Sequence, residues 1–213
     1  MAIDPRRRQK QLARKAAKRK AVLQKRAKAA GGQAALLRQI ALAPIYECLV
    51  PRQLFEIGIG DVILSRRLAD GSLMVSIFLV DVFCLGVKSA LVAVTSPADY
   101  REKVSAMSAN EVLEPVAPEY LRRLVEEAVE YAGGLGIPPH PDYREAAALF
   151  GNIDATACDE TFEFGYQGKP MFVNGPHDSP AFCNRVLQTL RERLGDDGFH
   201  FMLGGPEDGT ACY

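Results

Sequence analysis

The chain has 213 residues, of which 48% are hydrophobic and 24% are charged, a composition typical of soluble globular proteins rather than of disordered or fibrous ones. Its length suits one domain, or a domain with an extension, that is large enough to bury a core. No secretory signal or membrane helix is expected, because the N-terminus lacks an apolar segment and the longest apolar run ends at Asp81, well short of the ~20 residues that a membrane helix needs. We therefore expect a cytoplasmic protein that does not enter a membrane.

Positive and negative residues are concentrated in different parts of the chain. The 26 Lys and Arg residues balance the 26 Asp and Glu residues overall, but residues 1–30 hold twelve bases and one acid, Asp4. The remaining residues carry 14 bases and 25 acids, so the two parts have formal charges of +11 and −11. The twelve basic residues are Arg6, Arg7, Arg8, Lys10, Arg14, Lys15, Lys18, Arg19, Lys20, Lys25, Arg26 and Lys28.

Residues 1–32 therefore form a predicted basic extension. The segment is rich in Ala, Lys, Arg and Gln, which favour helix, and Gly31 with Gly32 marks its end. Its apolar residues are too few to dock on a core, and like charges disfavour a free helix, so we expect it to be helical or disordered. Phosphate neutralisation predicts salt-sensitive binding to RNA, DNA or a ribosome.

Three other interpretations of the basic extension remain open. It is also compatible with a solubilising extension, with ion pairing to the acidic part of the same chain, and with an organelle transit peptide. Transit peptides usually contain serine, and residues 1–30 have none.

The domain predicted over residues 33–205 begins with a short helix at 33–42 and an extended segment at 43–51. The strongest signal follows, where strands at 61–68 and 73–84 flank Asp70-Gly71, a dipeptide that favours tight hairpin turns. Another short strand is expected at 90–94. This pattern predicts a central β-hairpin.

Helices alternate with the remaining strands. Ser96 and Pro97 predict a helix start, with the helix ending near Ala106. Apolar residues three and four apart predict an amphipathic helix over 119–135. Asp142 is a candidate cap for a short helix that reaches Phe150.

The last third of the domain repeats the hairpin pattern. We expect strands at 161–166 and 171–173, a helix over 180–194 capped by Asp178 or Ser179, and a final strand at 199–203. Residues 206–213 read as a loose C-terminal tail. Together these elements predict an α+β fold of antiparallel β-hairpins packed with three to four helices.

Residues 44–203 carry three segments, APIYECLV, FLVDVFCLGVK and FEFGYQGKPMFVNGP, that resemble a family of uncharacterised bacterial proteins. The basic Ala/Lys-rich leader is similar to leaders of such proteins. The resemblance implies a bacterial cytosolic protein, and it implies no activity, because none is known for the family. An acidic residue is expected after the Lys of the middle segment, whereas this chain has Ser89.

The polar residues Asp81, Cys84 and Lys88 lie close together at the end of the central apolar run. A thiol with a lowered pKa beside Lys88 would be a nucleophile, with Asp81 or Lys88 in support and His177 as a base. The structural alternative is that Cys84 is a core thiol, Asp81 caps the turn and Lys88 is solvated. Free cysteine is among the most buried residue types, which favours this alternative.

No other motif indicates catalysis or a cofactor. The chain has no Walker loop, GxGxxG or HExxH pattern, and His140, His177 and His200 do not stand at a metal-ligand spacing. Its five cysteines form no CxxC pair, so we expect free thiols, no metal and no cofactor.

The leading hypothesis is a non-enzymatic protein that binds RNA, DNA or a ribonucleoprotein through its basic extension. Two alternatives are a small enzyme with Cys84 as nucleophile and a protein-interaction module with an acidic surface. The oligomeric state is not predicted.

Overall fold

The computed structural model describes residues 42–109 and 111–203. The basic extension, nearly all of the helix expected over 33–42, and the C-terminal tail lie outside these residues. The strands are β1 (Ile45–Pro51), β2 (Ile59–Arg67), β3 (Leu73–Asp81), β4 (Gly86–Thr95), β5 (Leu113–Pro115), β6 (Met171–Val173) and β7 (His200–Met202). The α-helices are α1 (Leu54–Ile57), α2 (Pro97–Ser108), α3 (Pro118–Gly134), α4 (Tyr143–Ala147) and α5 (Pro180–Leu194), and short 3-10 turns cover Ala148–Phe150 and Ala155–Ala157.

Five strands form an antiparallel sheet in the order β4-β3-β2-β1-β5. The expected central hairpin is confirmed as β2 and β3, which pair from Arg67 with Leu73 to Ile59 with Asp81. Its turn contains Gly71 at a φ of 85°, and the Asp70 carboxylate accepts hydrogen bonds from the Ser72 amide and hydroxyl. The fold is α+β, as the sequence predicts.

Strand β3 stops at Asp81, before the Cys84 boundary that was expected, and β4 begins at Gly86 rather than Ala90. Residues 82–85 form a turn between the two strands instead of prolonging the first. The apolar run is continuous through this turn because the turn itself is buried, so hydropathy alone does not reveal the reversal.

One face of the sheet carries the main core. The helical period expected over 119–135 is confirmed by α3, whose Leu121, Leu124, Val125 and Ala128 pack on the sheet beside α4 and the turn after it. Burying each of the larger side chains stabilises the fold by about 1.5–3 kcal/mol. Arg66 enters the same layer and donates to the carbonyl oxygens of Leu149 (2.7 Å) and Phe150 (2.9 Å).

The other face of the sheet is covered by α2. Ser96 caps this helix, as expected, by accepting a hydrogen bond from the Asp99 amide, and Pro97 occupies the first turn. Tyr100 is buried against the sheet and donates to a carboxylate oxygen of Glu47 at 2.9 Å. The helix therefore ties the end of β4 back to β1.

The second hairpin prediction is wrong except at its turn, where Tyr166 and Lys169 form an isolated antiparallel bridge. Residues 161–166 do not form a strand, and β6 pairs in parallel with β7 instead. Phe162 and Phe164 alternate as strand residues do, but their rings pack on Phe55 and on Tyr131 at centroid separations of 5.8 and 5.2 Å. The packing of Phe162 and Phe164 in a cluster of aromatic rings thus produced a period-2 pattern in a segment that forms no strand.

Helix α5 confirms the predicted amphipathic segment, with Ser179 rather than Asp178 as its cap. Its Cys183, Val186 and Leu190 join Cys84 and Phe172 in a second hydrophobic cluster. Asp142 occupies the N-cap position of α4, as expected, but its side chain makes no capping hydrogen bond. None of the described helices is both long and apolar enough to cross a membrane.

Candidate functional site

Asp81 organises the buried turn over residues 82–85. Its Oδ1 accepts hydrogen bonds from the backbone amides of Phe83 (3.0 Å) and Cys84 (2.9 Å). Burial raises the pKa of this carboxyl to about 6, although the backbone hydrogen bonds act in the opposite direction. Asp81 therefore acts as the cap of the turn, in agreement with the structural interpretation of the motif.

Cys84 lies inside the second hydrophobic cluster and is 0% exposed. Burial raises the pKa of its thiol, and the negative charge of Asp81 raises that pKa further. A nucleophilic cysteine needs partial exposure and a lowered thiol pKa. Neither condition is met, so the structure does not support the predicted nucleophile.

Lys88 lies at an irregularity in β4. Ser89 pairs with Leu79 and Val87 pairs with Val80, which leaves Lys88 as the extra residue of a β-bulge. Bulges re-aim a side chain relative to the regular strand. Lys88 thus reaches Asp178, and its Nζ donates to Asp178 Oδ2 at 2.6 Å.

The Lys88–Asp178 ion pair is largely enclosed, since the two side chains are only 14% and 13% exposed. The amide of Gly175 donates to the same oxygen of Asp178 at 2.7 Å. His177 is exposed beside this pair. The four residues predicted as a site are therefore divided between a buried turn, formed with Asp81 and Cys84, and an enclosed ion pair beside which His177 lies. Lys88 is still near enough to Asp81 for its charge to lower the pKa of that carboxyl.

A ligand-sized cleft is lined in part by Lys88. It is formed by the start of β4, the proline-rich loop 136–141 and α5, and it encloses about 380 Å³. Its lining residues are Leu85, Val87, Lys88, Gly136, Ile137, Pro138, Pro139, His140, Pro141, Phe182, Arg185, Val186 and Thr189. We refer to it as the basic cleft, because Lys88 and Arg185 are its charged lining residues.

Sequence reasoning missed Arg185 and Asp178 as parts of this region. Arg185 lies 97 positions after Lys88, and no spacing rule connects a bulge to the exposed side of a distant helix. His140 offered a weak signal, because prolines on both sides of it predict a rigid loop. Its amide donates to the Val87 carbonyl at 2.9 Å, which joins the loop to β4.

A second concave surface has the opposite charge. This open groove of about 740 Å³ is lined by the rings of Phe55, Phe83, Tyr120, Phe162, Phe164 and Tyr166. Glu160 and Glu163 are its charged lining residues. Carboxylates beside aromatic rings repel phosphate, so this groove does not favour a nucleic acid.

The twelve basic residues predicted to contact nucleic acid, from Arg6 to Lys28, lie outside the described residues. Residues 42–109 and 111–203 contain 13 Lys and Arg against 23 Asp and Glu, a formal charge of −10. Five of these 13 bases pair with carboxylates, and Arg66 is buried against carbonyl oxygens. The negative net charge of the described domain therefore disfavours contact with a polyanion.

The described cysteines, Cys48, Cys84, Cys158 and Cys183, are free and buried, as expected of free thiols. Within the part of the chain that the structure describes, no group of three His, Cys, Asp or Glu side chains is arranged to hold a metal ion. No protein-family model, curated protein or solved structure matches the chain.

Proposed function

We propose that this protein binds RNA or DNA, free or within a ribonucleoprotein, through its basic extension, and that it does so without catalysis. The observation that carries the proposal is the separation of charge between the extension, at +11 over residues 1–30, and the described domain, at −10. Each Lys or Arg that neutralises a phosphate releases counterions, so twelve bases in one short segment favour tight, salt-sensitive and sequence-poor binding.

The arrangement of the domain supports this assignment by removing a competing surface. Its larger groove carries Glu160 and Glu163, and i,i+4 ion pairs occupy Arg122 and Arg123 on α3. A phosphate backbone that approaches the domain meets net negative charge. The extension is therefore the part of the chain best suited to contact it.

A charge-neutralised full-length variant tests the proposal. Arg14, Lys15, Lys18, Arg19, Lys20 and Lys25 are all replaced by Gln, and binding to a duplex DNA and to a structured RNA is measured over a salt series. The slope of log K against log salt is about −0.9 per neutralised duplex phosphate, so the variant should lower its magnitude by up to about 5. Affinity at low salt should also fall.

The matched control replaces six exposed bases of the domain by Gln: Arg52, Arg101, Lys103, Arg144, Lys169 and Arg191. It removes the same charge but should keep most of the affinity and the slope. Equal losses in the two variants, or no binding by the unchanged protein, would contradict the proposal.

The enzyme alternative gains no support from the described residues, because Cys84 is wholly enclosed and its thiol pKa is raised. The protein-interaction alternative stays a prediction. An acidic groove lined by aromatic rings is compatible with a basic partner, but the described chain indicates no particular one.

A further inference from the structure

The basic cleft is a preformed hollow of small-molecule size. Its volume of about 380 Å³ lies within the range of ligand pockets, and three elements that are far apart in sequence enclose it. Leu85, Val87 and Val186 line it and are themselves at most 4% exposed. These apolar walls suit a compact ring or a short alkyl group.

Charge in the basic cleft opposes that of the surrounding domain. Lys88 and Arg185 line it together with the imidazole of His140, and none of the 23 described carboxylates does. Asp178 balances the charge of Lys88 from outside the lining, so Arg185 supplies the net positive charge of the cleft. In a domain with a formal charge of −10, a concave surface with net positive charge and no lining carboxylate favours an anion.

Both cations keep donors for a ligand. An ammonium has three N–H donors. Lys88 Nζ donates one of them to Oδ2 of Asp178. Arg185 forms no ion pair with a carboxylate in the described ranges, and its guanidinium lies 6.0 Å from the ring centroid of Phe182. A guanidinium can donate two parallel hydrogen bonds to a carboxylate or phosphate group.

The walls of the cleft are held in place before any ligand arrives. The β-bulge and Asp178 orient Lys88, whose side chain is only 14% exposed. The backbone bond from His140 to Val87 holds the loop against β4, and three prolines restrict that loop. A preorganised site loses little conformational entropy on binding.

We propose that the basic cleft binds a small organic anion, in which a carboxylate or phosphate group contacts Lys88 and Arg185 and a compact apolar group packs against Val87, Phe182 and Val186. This site is separate from the polyanion-binding extension. The shared chemistry is an oxyanion attached to an apolar body.

Four probes share a phenyl ring and differ in charge, so they separate the contribution of charge to affinity from that of apolar packing. They are phenyl phosphate, phenylacetate, neutral phenethyl alcohol and cationic phenethylamine. Binding to the full-length protein is measured by calorimetry, and the methyl resonances of Val87 and Val186 are followed by NMR. We expect both anions to bind about tenfold or more tightly than the neutral probe and to shift these two methyl signals. Tighter binding of only one anion identifies a carboxylate or a phosphate ester as the ligand class.

Arg185→Gln should weaken both anions about tenfold and leave phenethyl alcohol unaffected. Arg191→Gln on the same helix is the matched control, because Arg191 is half exposed, pairs with Asp196 and does not line the cleft. The Arg191→Gln variant should bind both anions as tightly as the unchanged protein does. Arg185 is exposed, so its replacement is not expected to affect folding.

Three results would overturn the inference. They are equal binding of the neutral and anionic probes, unchanged anion affinity in Arg185→Gln, and unshifted Val87 and Val186 methyls at saturating anion. The second result would show that Arg185 does not contact the anion. Because the extension is unchanged in Arg185→Gln, failure here leaves the test of polyanion binding unaffected.

Discussion

Asp81 and Cys84 illustrate how burial decides the role of a residue whose type suggests chemistry. A carboxylate and a thiol three positions apart resemble a catalytic pair, yet both lie at the junction of two hydrophobic clusters. Burial raises both pKa values, because it disfavours the charged forms. At the residue scale the consequence is a dependence of stability on pH.

Asp81→Asn tests this dependence. The native pKa of Asp81 is about 6 against an ordinary value of 3.8, so the native state keeps a proton that the unfolded state has lost between about pH 4 and pH 6. The contribution of Asp81 to the free energy of unfolding therefore falls by up to about 3 kcal/mol as pH rises through this window. Relative to the unchanged protein, Asp81→Asn should gain stability by that amount from pH 4 to pH 7 in urea denaturation.

Asp70→Asn is the matched control. Hydrogen bonds from the Ser72 hydroxyl and amide lower the pKa of the exposed Asp70, so its ionised form favours the native state. The pH window in which its native and unfolded states differ lies below the ordinary pKa of 3.8, so the stability difference of Asp70→Asn should stay nearly constant from pH 4 to pH 7 and should change, with the opposite sign, only at lower pH. A constant stability difference between Asp81→Asn and the unchanged protein would refute the raised pKa of Asp81.

At the scale of elements, the approach of α3 to the start of β4 positions both the buried turn and the basic cleft. Gly86 has a φ of 63°, and a Cβ atom there would lie 2.6 Å from the Ala128 carbonyl oxygen and 2.8 Å from Ala132 Cβ. The helix backbone thus fits against the strand only because position 86 has no side chain. The adjacent β-bulge leaves Lys88 outside the regular pairing, and its Nζ reaches Asp178.

Gly86→Ala should therefore be much more destabilising than a glycine replacement that changes backbone conformation alone. Gly71→Ala is the comparison, since Gly71 also has a positive φ, of 85°, but nothing lies within 4 Å of its Cβ position. We expect a loss of about 1–2 kcal/mol for Gly71→Ala and about 3 kcal/mol or more for Gly86→Ala in urea denaturation. Equal losses would show that α3 can shift away from the strand at little cost.

At the scale of the whole molecule, the two hydrophobic clusters share elements. Helix α3 contributes Ala128 to the main core and Ala132 to the second cluster, and the turn after Asp81 is divided between them. The C-terminal helix α5 therefore depends on the same elements as the sheet. We expect the two clusters to unfold as one cooperative unit.

Leu124→Ala and Leu190→Ala test this cooperativity, because each residue is fully buried in a different cluster. Each should cost about 2–5 kcal/mol and lower the midpoint of the same single calorimetric transition, with equal calorimetric and van't Hoff enthalpies. Leu194→Ala, at a partly exposed position on α5, should cost less than about 1 kcal/mol. A separate early transition in Leu190→Ala would show that the second cluster unfolds on its own.

Most features that depend on neighbouring residues were predicted from the sequence, whereas features that depend on distant segments were not. The β2–β3 hairpin, the Ser96 and Ser179 caps and the amphipathic helices were predicted correctly, because each depends on residues within a few positions. The strand expected at residues 161–166 was wrong because the aromatic side chains that cluster there imitate the strand period. The basic cleft was not predictable, because it depends on one bulged residue and on the placement of α5.

The sequence by itself determined the α+β class, the central hairpin and the sorting of charge, because hydrophobic period, turn chemistry and composition are local properties of a chain. Only the tertiary structure decided that Cys84 is enclosed, that Lys88 pairs with Asp178, and that Lys88 and Arg185 line one carboxylate-free cleft. The physical reason is that exposure, electrostatic environment and side-chain direction depend on packing between segments that are far apart in the chain.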